Sequence, residues 1–135
     1  MMVKPVCKVL IPETLERAFL FVADFLAALG LSIENPESAK ITTWTNEGDQ
    51  KEILVERVIG EVASGAVNNV QFWKNSSEDV FVAWREGADG CSFSIYLDGM
   101  DSALSVMLTS KLVESVLVGF RNRYGEGVAL TVEFE

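Results

Sequence analysis

The stretch from Asp79 to Asp98 constrains the fold more than any other, because it alternates apolar and polar residues on both sides of a short glycine-bounded break. Two such arms joined by Gly87-Ala88-Asp89-Gly90 make a β-hairpin, with glycine at each end of the break supplying backbone angles closed to other residues. Folding the arms about Gly87 to Gly90 sets Glu86 opposite Cys91, Trp84 opposite Phe93, Val82 opposite Ile95, Val80 opposite Leu97 and Asp79 opposite Asp98. One face is then continuously apolar. The other holds Arg85, Ala83, Phe81 and Asp79 against Ser92, Ser94, Tyr96 and Asp98. A one-residue slip would bury the serines and expose Trp84, so the alternation strongly prefers this register.

The flanking segments supply the layers that such a hairpin needs. Val3 to Ile11 is rich in β-branched residues, and Pro5, which lacks a ladder donor, points to an edge strand or a late strand start. Pro12-Glu13-Thr14 opens a helix with Leu15, Phe19, Val22, Phe25, Leu26 and Leu29 on its main stripe, largely buried and stopped at Gly30. Ser32 to Ala39 reads as a loop around Asn35-Pro36, and Lys40 to Thr45 as a short strand. The spacing of Leu54, Val55, Val58, Ile59 and Val62 predicts an amphipathic helix over Gln50 to Ala63, weakened by Gly60. Val67 to Lys74 is a strand with Val70 and Phe72 on one side and Asn69, Gln71 and Trp73 on the other.

Beyond the hairpin, Asp101 or Ser102 caps the longest helix, Ser102 to Tyr124, whose Leu104, Met107, Leu108, Leu112, Val116 and Phe120 form a broad core face. Gly125 stops it, and Gly127 to Glu135 is a last strand with Val128, Leu130, Val132 and Phe134 inward and Glu133 among the outward residues. The order β-α-β-α-β-β-β-α-β has no repeat and no linker. It predicts one α+β domain over residues 1–135, a mostly antiparallel sheet with the central hairpin at 79–98 and the first and third helices packed on its apolar face.

Composition narrows the chemistry. The absence of histidine removes Ser-His-Asp and Cys-His nucleophilic sites and any imidazole metal ligand. There is no phosphate-cradling loop and no dinucleotide fingerprint, so no catalytic residue, cofactor or metal site is expected. A net charge of −9 repels phosphate backbones and anionic membrane surfaces, which argues against nucleic acid and membrane and makes a basic partner the natural one. Cys7 and Cys91 lack redox or metal spacing and read as reduced thiols of a cytoplasmic protein. Ala18 to Leu31, the most apolar run, is too short to span a membrane.

Two features stand above this background. On the polar side of the hairpin, Trp73, Phe81 and Tyr96 point away from the core alongside Arg85, the residue types in which binding hot spots are enriched. The competing reading is that the second helix covers this side and makes the trio ordinary core. The second feature is acidic: Asp79, Asp98 and Asp101, with Glu78, converge at the open end of the hairpin. Caps and solvated strand ends explain such a cluster, and a cation or a partner's lysine or arginine between opposed carboxylates is the other explanation.

The aromatic arm Val80-Phe81-Val82-Ala83-Trp84-Arg85, the strand end Tyr96-Leu97-Asp98-Gly99 running into a long helix, and the strong negative charge resemble small acidic bacterial immunity proteins of contact-dependent and related toxin systems. The likeness is one of layout and charge and contains no motif whose residues transfer. It implies tight binding and occlusion of a cognate toxin, often a basic nuclease. The expectation is therefore a non-enzymatic protein-binding domain that uses Trp73, Phe81, Tyr96 and Arg85 as contacts and Asp79, Asp98, Asp101 and Glu133 as charges. A small-ligand or metal-assisted enzymatic domain at the acidic end of the hairpin, and a subunit that homodimerises through its exposed sheet, remain the alternatives.

Overall fold

A computed structural model describes residues 4–135 and shows an α+β fold in which an antiparallel five-stranded sheet carries its helices on one face. The strands are β1 (Pro5–Ile11), β2 (Ile41–Trp44), β3 (Gln50–Ile53), β4 (Asn69–Trp73), β5 (Asp79–Gly87), β6 (Gly90–Tyr96) and β7 (Ala129–Phe134). The large sheet runs β4-β5-β6-β1-β7, and β2-β3 form a separate hairpin. In the central hairpin Glu86 pairs with Cys91, Trp84 with Phe93 and Val82 with Ile95, the register that the alternation demands, about a two-residue turn at Ala88-Asp89. Gly90 has φ +135° and packs so close to the Ile11 carbonyl that any side chain there would collide with it.

The ladder departs from expectation at its open end. Pairing stops at Phe81–Tyr96, because the Leu97 amide turns to donate to the Pro5 carbonyl at 3.0 Å and the Asp79 amide donates to the Gly99 carbonyl at 3.2 Å. Asp98 is therefore displaced from the position opposite Asp79. Gly99 lies against the Asp79 backbone, with no room for a Cβ.

The start of the chain differs too. Val3 lies outside the described residues, and β1 begins at Pro5, where a missing N–H costs least. Yet β1 is central rather than an edge, paired with β6 on one side and β7 on the other. The second predicted helix divides in two: Gln50–Ile53 pair with β2, and only Val58–Ala63 form α2, after a 3-10 turn at Val55–Arg57. Gln50, Lys51 and Glu52 are exposed and carry no apolar period, so the spacing of the residues behind them extended the helix too far.

Helix α1 (Leu15–Ala28) is capped by the Thr14 hydroxyl and closed by Gly30 and Leu31 amides that donate to the Ala27 and Leu26 carbonyls. Its Phe19 ring meets Trp84 edge-on at 5.3 Å, and Ala18, Val22 and Leu26 complete the buried stripe. Helix α3 (Ser102–Ser115) continues through a π turn (Val116–Phe120) and a last α turn (Arg121–Tyr124) as one long helix. It lies alongside α1, with Phe120 and Tyr124 against Phe21. Its core face is narrower than expected. Leu108, Leu112 and Val116 are buried and Leu104 and Phe120 half-buried as expected, whereas Met107, expected inward, is exposed along with Val106, Leu117 and Val118.

Candidate functional site

The candidate site is the sheet face opposite the helices. Helix α2 packs beside α1, with Val58 and Val62 in the same core as Phe19 and Trp84, so the second helix does not cover that face. Alternation along β4, β5 and β6 then directs Trp73, Asp79, Phe81, Arg85 and Tyr96 outward, as the hairpin register requires. Phe81 and Tyr96 are a cross-strand pair with ring centroids 5.8 Å apart. Trp73 lies on the same face without ring contact to that pair; its backbone bridges to Ser32 and its Nε1 is buried without a hydrogen-bond partner among the described residues.

Phe81 and Tyr96 form one wall of a cleft of about 640 Å3 that Lys4, Asp79, Asp98, Gly99 and Glu135 complete. The cleft joins two features that looked separate in the sequence, the aromatic face and part of the acidic end. Arg85 lies across Tyr96 in a neighbouring hollow of about 320 Å3, with Lys8, Ser92 and Ser94, and makes no ion pair among the described residues. Two of the acids are spent elsewhere. Asp101 caps α3 through a 2.8 Å bond from the Leu104 amide, and Glu78 accepts from the Asp101 amide at 3.2 Å. Neither lines the cleft. Among the described residues no three Cys, Asp or Glu side chains gather as metal ligands.

Each wall is fixed by a chain of hydrogen bonds. The Lys8 ammonium bridges Glu133 at 2.7 Å and Glu135 at 2.8 Å, and the Tyr96 hydroxyl donates to Glu135 at 3.2 Å. The bonds to Glu133 and Glu135 hold Lys8 above the ordinary lysine range, and the bond from Lys8 holds Glu135 below the ordinary carboxylate range. Burial, with Glu135 nearby, raises the Tyr96 phenol. Val6, flanked on the same face by Tyr96, Glu133 and Lys8, is fully buried. Glu133 is thus tied to Lys8 and is not a free steering charge.

On the other side, the donor-only Trp44 indole bonds to Gln71 Oε1 at 2.8 Å, which fixes the amide orientation and leaves Gln71 Nε2 to donate to Asp79 Oδ2 at 2.8 Å. Trp44 is held in turn by Asn69. Its side chain accepts from the Trp44 amide at 2.8 Å and donates to the Trp44 carbonyl at 2.9 Å, standing in for a strand neighbour. Sequence reasoning missed Lys4, Lys8, Trp44 and Glu135, and placed Gln71 on this face without its bonds to Trp44 and Asp79. Lys8 carried the one available signal, a lone charge alternating with Cys7 and Val9, but its partners follow only from the pairing of β1 with β7. Comparison with family models, with curated proteins and with solved structures finds no match.

Proposed function

We propose that the protein is a non-enzymatic inhibitor of immunity type that binds a basic bacterial toxin in the cytoplasm and occludes it with the outer face of its sheet. The observation that carries this reading is the uncovered aromatic pair, Phe81 and Tyr96, beside a cleft edged by Asp79 and Asp98. An aromatic anchor next to a carboxylate-lined recess suits a lysine or arginine side chain entering the cleft while its neighbours pack on the rings. The Lys8–Glu135–Tyr96 and Trp44–Gln71–Asp79 chains hold these groups in place before a partner arrives, which lowers the ordering cost of binding. Between Asn75 and Asp101 the chain carries six carboxylates, Glu78, Asp79, Glu86, Asp89, Asp98 and Asp101, and one base, Arg85, and the balance stays acidic with Lys4 and Lys8 of the same face added, a charge pattern that draws in a basic partner.

The test begins with the neighbouring gene. Its product should arrest growth when expressed alone, and co-expression of this chain should restore growth unless Phe81 and Tyr96 are both replaced by alanine. A harmless neighbouring product, or protection that survives the double replacement, refutes the proposal. The cleft volume also falls within the ~300–1,000 Å3 of small-molecule sites, which favours a small organic cation as the second reading. A thermal shift with such a cation that Asp98→Asn abolishes would support it.

A further inference from the structure

We infer that a second copy of this chain docks on the surface formed by α3 and β7, giving a twofold dimer that leaves the outer sheet face free. The long helix is long and apolar enough to cross a membrane, yet only 17% of its most apolar window is buried. Opposite its buried stripe, Val106 is 65%, Leu117 61% and Val118 62% exposed. The patch continues onto the sheet. The Cys7 thiol sits against Thr109 of α3, and Val132 pairs beside Cys7, so Val132 and Phe134 extend the same face past the helix, where they are 48% and 72% exposed.

Together these residues expose on the order of 500 Å2 per copy, within the range of a monomer's largest apolar patch and more than half of the ~800 Å2 that one partner buries in a stable complex. The edge completes the case. Among the described residues β7 bonds only to β1, and Ala129–Phe134 contain no proline or lysine, their one charge, Glu133, being paired with Lys8 on the outer face. Antiparallel pairing of β7 with its symmetry mate would continue the sheet and bring the two α3 helices together, antiparallel, over the junction.

The charges on α3 select a like partner in that orientation. With a twofold axis crossing the helix between Ser110 and Val113, Val106 of one copy lies near Leu117 of the other. The C-terminal turn carrying exposed Arg121 comes alongside the acidic N-terminus at Asp101, as antiparallel helix dipoles also favour. An anionic lipid surface would instead meet a chain of net charge −9.

Sedimentation equilibrium of the wild-type chain tests this. The expected mass is twice 14.8 kDa at micromolar concentration, with association tightening as salt screens the repulsion between two acidic copies. Leu117→Glu and Phe134→Glu, both at exposed positions and checked for native circular dichroism, should each weaken association by about a hundredfold or more. A wild-type monomer at high micromolar concentration, a dimer indifferent to both Leu117→Glu and Phe134→Glu, or a monomer that instead floats with phosphatidylcholine vesicles would overturn the inference.

Discussion

Replacing Asn69 by alanine should detach the β2-β3 hairpin from the sheet and loosen the cleft with it. Asn69 is 7% exposed and bonds both backbone groups of Trp44, at 2.8 and 2.9 Å, while the Thr43 hydroxyl keeps a second acceptor in the Asn69 carbonyl at 2.6 Å. Alanine therefore orphans two backbone groups. At ~1–3 kcal/mol for each buried group, discounted because Trp44 is partly open to water, the loss should be about 2–4 kcal/mol. For a chain of this length that lowers Tm by roughly 10 °C. Urea melts measure the loss, and hydrogen exchange should show the Trp44 and Gln50–Ile53 amides opening ahead of the central hairpin.

Asn69→Asp sharpens the test. Its carboxylate would face the Trp44 carbonyl and the Asn68 side-chain oxygen, both now bonded by the Asn69 amide. If the repulsion outweighs the bonds from the Trp44 amide and Thr43 hydroxyl, the folded pKa of the new group lies above its unfolded value, and the variant loses stability as pH rises from the unfolded pKa through the folded one and regains it toward acid, where a protonated acid can donate. A loss below about 1 kcal/mol for Asn69→Ala, or an Asp variant no worse at neutral than at acid pH, would refute the claim that these bonds fasten the hairpin.

Trp84→Ala, which removes the ring that Phe19 and Phe93 pack against, should cost about 3–5 kcal/mol by urea denaturation. Phe81→Ala or Tyr96→Ala should leave the melt within about 1–2 kcal/mol of wild type, because both rings lie outside the helix-side core, and, on the proposed function, should speed dissociation of the complex with the neighbouring gene's product in surface plasmon resonance. Cys7 and Cys91 are buried and free, with burial raising both thiols, so Ellman's reagent should react slowly near pH 8 until denaturant is added. The Lys8–Glu135 pair should make the Tm difference between wild type and Lys8→Met depend on pH. Glu135, lowered when folded, contributes above its unfolded pKa and fades as acid protonates it, whereas Lys8, raised when folded, contributes below its unfolded pKa and fades in alkali. The difference should therefore be flat between the two unfolded values and shrink on both sides.

Local periodicity determined a good deal by itself. The register of Trp84 on Phe93 and Val82 on Ile95 was legible because successive strand side chains point to opposite faces, so one pattern admits one burial. The C-terminal end of α1 was legible for a similar reason, since Gly30 answers needs of backbone groups within a single turn, while its start, read at Pro12-Glu13-Thr14, is set by the Thr14 cap. The outward direction of Phe81 and Tyr96 followed from the same alternation.

Tertiary structure decided whatever depends on a distant neighbour. Gln50–Ile53 is a strand because β2 pairs with it, not because its own residues alternate. The third helix is apolar on more than one side; Leu108 and Leu112 were legible as core, but only the seating on the sheet shows that Met107, read as core with them, faces solvent as Val106 and Leu117 do. The cleft was least legible. Lys8, Glu133 and Glu135 meet only once β1 lies between β6 and β7, and Gln71 reaches Asp79 only when Asn69 has fixed Trp44. A chain's local pattern says which face a side chain takes. Which strands and helices share that face is settled by pairings across the sheet, where the energy of each contact depends on residues far away in sequence.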